Sequence, residues 1–207
     1  MSPRTATQEP ATRRPGRPRR EGLDDAIIKA TLDEMARVGY SRMSLETIAR
    51  IAGTTKPTLY ARFGSKANLA TSALESLRRS TPRHPTGDAR ADLIEELTLF
   101  RQGALRGNGM SMLGAVLVEQ HENPDLLRLF RKYVVHPRRE NLRRILTGGL
   151  DAGQLDPNTD IELAITMFVG SLYAAYMAGK PVPQDWPTRI VDAWMRQNNR
   201  PDVRTAK

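Results

Sequence analysis

Apolar residues along this chain recur at three- and four-residue intervals almost from end to end, and the runs between breakers predict helices throughout. The first run, residues 23–38, places Leu23, Ile27, Ile28, Leu32, Met35 and Ala36 in one stripe, with Gly39 as the residue that ends it. A shorter pattern follows, in which Leu45, Ile48, Ala49 and Ala52 fall at i, i+3, i+4 and i+7 behind Ser44, an N-cap whose hydroxyl accepts an orphan backbone N–H. Gly53 then permits the positive φ of a sharp turn. Thr55 caps the next short pattern and Pro57 falls in its first turn, where a missing N–H is harmless. Leu59 and Phe63 are that pattern's only large apolar pair; Tyr40 and Met43 are expected to be core residues that pack the first helix against the two short helical patterns. Ser65 opens a fourth helix to about Arg79, with Asn68 where a Glu would complete a capping box.

Residues 80–87, Ser-Thr-Pro-Arg-His-Pro-Thr-Gly, break the pattern and set the expected domain boundary. Beyond them Asp88 caps a helix to about Arg106 with Leu93, Ile94, Leu97 and Phe100 inward. Met112, Leu113, Val116 and Leu117 mark another, from Met110 to Glu122. Residues 124–150 stay helical, with Pro137 expected to kink or divide them near Val135 or His136. Arg128, Arg131, Lys132, Arg138, Arg139, Arg143 and Arg144 read as the solvated face of that stretch, a second DNA patch being the other reading. Asp160 opens the most apolar helix, to about Ala178. Ile161, Ile165, Phe168, Leu172 and Tyr176 lie on one side of it, and the small residues Gly170, Ser171, Ala174, Ala175 and Ala178 on another. A helix apolar over most of its circumference needs partners on two sides. Together with a final run, Trp186 to Met195, through Ile190, Val191 and Trp194, it suits half of a four-helix interface about a two-fold axis; the central helix of a monomer is the alternative. No strand pattern competes, so the chain reads as all-α.

Charge changes the picture. The 207 residues carry a net charge of +9, which points to a polyanion, either nucleic acid or an anionic membrane surface. Five of those nine charges lie in residues 1–20, where six arginines face one acid, Glu9, among Pro and Thr, and disorder is expected. Within that arm Gly16-Arg17-Pro18-Arg19 is similar to the core of an AT-hook, whose arginines lie along a narrow A·T minor groove; a solubilising basic tail is the plainer reading. Cys is absent, so a reducing compartment is permitted. The N-terminus shows no apolar secretory core, and the longest uncharged run, 163–178, is short of a bilayer span, so a soluble, cytoplasmic protein is expected.

The chemistry concentrates in residues 44–66. Around Leu59 and Phe63 stand Thr54, Thr55, Lys56, Thr58, Tyr60 and Arg62, donors and cations of the kind a helix needs to enter a DNA major groove. Spacing alone also fits a plain αα-hairpin with a solvated face. The wording I-A-x-x-A-G-x-x-K-P-T-L-Y-x-x-F-x-S-K, from Ile48 to Lys66, resembles the DNA-binding domain of the TetR family of bacterial transcriptional regulators, down to the order Phe63, Gly64, Ser65, Lys66. The resemblance is specific over residues 23–69 and rests on helix layout over 88–198.

It implies a three-helix DNA-binding domain with a helix-turn-helix over 21–80, and a helical ligand-binding and dimerisation domain over 88–198. Residues 1–20 would be a basic arm and 199–207 a disordered tail. It implies a homodimeric, sequence-specific regulator, a repressor rather than an activator, on a pseudo-palindromic operator. Ser44, Thr54, Thr55, Lys56, Thr58, Tyr60 and Lys66 would touch DNA, with Arg62 beside them and Arg17 and Arg19 in the minor groove. Lys56 and Thr58 would face base edges, and Ser44, Tyr60 and Lys66 would hold phosphates. Gly170, Ser171, Ala174, Ala175, Ala178, Ile190 and Trp194 would form the dimer interface. A cavity for an apolar or aromatic effector would draw on Met110, Leu113, Leu117, Phe130, Tyr133, Phe168, Tyr173 and Tyr176, a set that plain core packing also explains.

No cofactor and no catalytic site are expected. His84, His121 and His136 are scattered, and no phosphate loop, nucleophile elbow or HExxH motif occurs. Glu119, His121 and Glu122 crowd one helix end, where a surface position explains them. The rival readings are an architectural, largely nonspecific A·T-rich DNA-binding protein that uses the arm, and a helical interaction module whose charge serves solubility.

Overall fold

The computed structural model describes residues 22–77, 85–105 and 107–198, and every regular element among them is helical. The basic arm with Arg17 and Arg19, and the tail 199–207, lie outside the described residues. Four helices come first: α1 (Leu23–Arg42), α2 (Leu45–Ile51), α3 (Lys56–Phe63) and α4 (Lys66–Ser76). Then follow α5 (Ala89–Leu105), α6 (Gly109–Val118), α7 (Pro124–Phe130), a π-helical segment (Arg131–Val135), α8 (His136–Asp151), α9 (Ile161–Met177) and α10 (Trp186–Asn198).

The caps do what their side chains allow. Ser44, Thr55, Ser65 and Asp160 each accept the backbone N–H three residues on, so α2, α3, α4 and α9 start where an oxygen replaces a missing helical partner. Gly39, at φ +81, interrupts α1 and turns its last residues toward α2. Pro137 has no N–H to give and its ring crowds the preceding turn, so the ladder slips there: the N–H of His136 reaches back to the carbonyl of Arg131. The expected break is therefore a π-helical segment rather than a gap, and the chain runs helically from Pro124 to Asp151.

Two hydrophobic clusters organise the molecule. The first joins Ile27, Met35, Ile48, Leu59, Leu69 and Leu74 of α1–α4 to Met112, Val116, Leu126 and Phe130 of α6 and α7. The second joins Leu93, Leu97 and Phe100 of α5 to residues of α8, α9 and α10, among them Leu142, Leu146, Ile165, Phe168, Leu172, Val191 and Trp194. Packing thus attaches α6 and α7 to the N-terminal helices, although the sequence breaks at residues 80–87.

Candidate nucleic-acid interface and the cavity behind it

Helix α3 is eight residues long, too short to hold itself in water, and packing fixes it. Its one buried residue, Leu59, seats it in the first cluster, with Phe63 half-buried beside it. The remaining face looks outward: Tyr60 is 46% exposed, and Lys56 and Thr58 are half-buried at its edge. Lys56 is paired with Glu46 of α2, which raises the lysine's pKa and lowers that of the acid through their hydrogen bond. The Thr55 and Thr58 hydroxyls share a hydrogen bond of 2.9 Å.

Several expected DNA contacts also have work within the molecule. Ser44 caps α2 and donates to Glu46 at 3.2 Å, so its hydroxyl is committed next to a carboxylate. Arg62 is ion-paired with Asp24 of α1. Lys66 donates to the carbonyl of Ser41 at 3.0 Å and lies 5.0 Å over the Tyr40 ring; as an ammonium it keeps further N–H donors. Thr54, half-buried, stands in the turn between α2 and α3.

Behind these helices lies a cavity of about 280 Å³. Met110, Leu113, Phe130 and Tyr173, four of the eight residues singled out for an effector, line it. The other four do not. Leu117 and Tyr176 are exposed, Phe168 packs edge-on against Trp194 in the second cluster, and Tyr133 lies half-buried against the first. Residues not anticipated complete the wall, including Leu32, Phe100, Met112, Val134 and Arg138. The guanidinium of Arg138 sits 4.6 Å over the Phe100 ring, so this arginine belongs to the cavity and not to the solvated face assigned to it. Arg138 stands four residues after Val134 and eight after Phe130, so helical spacing puts all three on one side of the helix, facing the cavity. Burial pushes the Tyr173 hydroxyl's pKa up, while the charge of Arg138 opposes it. Arg139 and Arg143 do stay at the surface, paired with Glu162 of α9.

Glu119 is the second correction. Far from a surface position, it is only 7% exposed, and its carboxylate accepts from the backbone N–H of Ser41 at 2.8 Å, the Ser41 hydroxyl at 2.6 Å and the Asn123 amide at 2.6 Å. Burial alone would raise its pKa; the donors from Ser41 and Asn123 and the charge of Lys66 outweigh it and hold the carboxyl below the usual range.

The third correction concerns the expected interface. Trp194 is buried against Phe168 in the molecule's own core, and Ile190 is half-buried there too. Gly170, Ser171 and Ala175 are half-buried, whereas Ala174 and Ala178 are exposed. Leu163, Met167 and Met177 are exposed as well, so Leu163, Met167, Gly170, Ala174 and Met177 make a stripe at alternating four- and three-residue spacing along α9. A Cβ added at Gly170 would meet nothing within 4 Å, so no contact inside the chain calls for a glycine there.

Residues 27–73 match the family model described as bacterial regulatory proteins, tetR family, and residues 83–194 match the tetracyclin repressor-like C-terminal domain. The chain is 27% identical to the HTH-type transcriptional regulator YdeS of Bacillus subtilis, over 76% of this chain and 80% of that one. It is 24% identical to the DNA-binding transcriptional repressor TetR of Mycobacteroides abscessus, over 90% and 98%. Among solved structures, the TetR family regulator SCO0332 superposes with a TM-score of 0.59 at 25% identity, over 87% of this chain and all of that one.

Proposed function

We infer, for a chain that belongs to the tetR family of bacterial regulatory proteins, that it is a transcriptional repressor which binds a pseudo-palindromic operator as a homodimer and responds to a small ligand. The observation that carries the reading is α3: a short helix seated by one buried leucine, capped at Thr55, with Lys56, Thr58 and Tyr60 on the side away from the core. Lys56 and Thr58 face base edges, and Tyr60, Thr54 and Thr55 set the register with Ser44 and Lys66 on phosphates. Arg62 orders α1 against α3 through Asp24 and contacts DNA only secondarily. Arg17 and Arg19 of the arm extend the contact into the minor groove.

The exposed stripe of α9 supports the dimer. Gly and Ala at its centre let a second copy of α9 approach closely, and Leu163, Met167 and Met177 flank them with apolar surface. The effector enters the cavity among α1, α5, α6 and α8. A volume of about 280 Å³ and a mainly apolar wall suit a small apolar or aromatic molecule. Binding there shifts the two reading heads relative to each other, and so alters DNA affinity. Its relatives are regulators, and we read this chain as a cytoplasmic regulator and not an enzyme. No helix among the described residues is long and apolar enough to cross a membrane.

Selection from genomic DNA with the purified protein tests the proposal. A dyad-symmetric motif is the expected product. Enrichment of A·T-rich DNA without symmetry would transfer the function to the basic arm and make the protein an architectural one.

A further inference from the structure

We propose that Glu119 is a positioning residue that couples the effector cavity to the reading head, by clasping Ser41 and so fixing the spacing at which a dimer presents its two α3 helices. This rests on the regulator reading above.

Ser41 lies in the last residues of α1, beyond the interruption at Gly39 and three residues before the Ser44 cap, and it is gripped on three sides. Its N–H and its hydroxyl go to the two oxygens of Glu119, at 2.8 and 2.6 Å, and its carbonyl receives Lys66, which opens α4, at 3.0 Å. Asn123 closes the cluster, donating to Glu119 at 2.6 Å and to the Ser41 hydroxyl at 3.1 Å. Glu119 and Ser41 are 78 residues apart in the chain, so this is a joint between distant elements and not a local cap. Gly39 makes the approach possible. At φ +81 it lets the chain fold over the carboxylate, and a Cβ there would stand 3.1 Å from a Glu119 oxygen.

The other end of the same helix reaches the cavity. Gly109, Met110, Met112 and Leu113 of α6 line it, and Glu119 caps the C-terminus of α6 roughly 15 Å away along a rigid rod. Apolar contacts between α6 and α1 tolerate sliding, whereas hydrogen bonds to a buried carboxylate are directional and do not. A ligand that shifts α6 therefore carries Ser41 with it, and with Ser41 the start of α2 and, through Lys66, the start of α4. The reading helix hangs between those two.

The test uses the full-length dimer and three versions of its selected operator, with the central spacer native, one base pair shorter and one longer. Each base pair changes the half-site separation by about 3.4 Å. Wild type is expected to prefer the native spacer by about tenfold, the loss that one misfit position ordinarily causes. Glu119→Ala is expected to bind all three within about threefold, and Ser41→Ala, which removes one hydroxyl and keeps the N–H bond, to fall between. Should Glu119→Ala fail to fold, Ser41→Ala decides. Wild-type spacer preference in a folded variant, or an equal loss of affinity on all three operators, overturns the joint alone. Absence of any dyad operator for wild type overturns the regulator reading and the joint with it.

Discussion

Met167→Asp is the perturbation that discriminates most sharply between a dimer through α9 and a monomer with an oily surface. Met167 is 44% exposed in the single chain, in the middle of the stripe that runs from Leu163 to Met177. If a second α9 covers it, the substitution removes apolar burial worth about 1 kcal/mol per copy. It also places a carboxylate where no cation of α9 can meet it, at an effective cost of several kcal/mol per ion. Two-fold symmetry doubles both, so dimerisation weakens by at least about 6 kcal/mol, or roughly 10⁴-fold in the dimer dissociation constant. Sedimentation equilibrium at micromolar concentration should then find monomer where wild type is dimer, and operator affinity should fall because the two half-sites are no longer bound together. Val118→Asp is the control. Val118 is 81% exposed on α6, away from the stripe, and its replacement should leave the dimer intact. If Met167→Asp sediments as a dimer with unchanged affinity, the interface lies elsewhere and the reasoning from exposure fails.

Gly170→Ala carries the same logic in a milder form. In a monomer it would stabilise α9 by up to about 1 kcal/mol, so a weaker dimer despite a better helix former would place the partner at Gly170. Lys56→Ala and Tyr60→Ala should each weaken operator binding by about 1–3 kcal/mol with the dimer preserved, and binding like wild type in both would remove α3 from the groove. Deleting residues 1–20 should lower affinity and flatten its dependence on salt, while an unchanged slope would dispose of the arm. For Glu119 the sign follows from a folded pKa below that of a free carboxyl, about 4.3. The clasp's contribution is complete above that value and is lost as pH falls through the lower, folded one. Glu119→Gln should thus cost roughly 1–3 kcal/mol in thermal unfolding at neutral pH. The gap to wild type should narrow as pH falls below the free-carboxyl value and through the lower folded one, and a gap independent of pH would show that ionisation is not what holds Ser41.

How legible was all this in the chain? The reading head was, because its signals are local. Ser44, Gly53, Thr55, Pro57 and Ser65 each act on residues within one turn, and each does so in the structure. The C-terminal helices were less so, for a physical reason. A helix such as α9, apolar on most sides, does not say which side its own chain covers. Trp194 turned out to fill the core that Phe168 offers, and Met167, in the same helix as Phe168, was left outside. Arg138 reads as one more cation of a basic run, although its place four and eight residues after Val134 and Phe130 puts it on their apolar side of the helix. Glu119 was misassigned because its partners, Gly39 and Ser41, lie far away in sequence and only the fold brings them to it. The pocket residues suffered the same ambiguity: a methionine or an aromatic ring at helical spacing packs a core or lines a cavity, and the difference is whether a neighbour fills the space.

The central claim is that this chain reads a defined DNA sequence as a symmetric pair. Titration of the selected operator against a scrambled site of equal length and composition, at near-physiological salt, tests it most directly. The operator should bind at least about 10³-fold more tightly. Binding of the two within a few-fold, with a steep loss on added salt, would contradict it and leave a protein that holds DNA by charge alone.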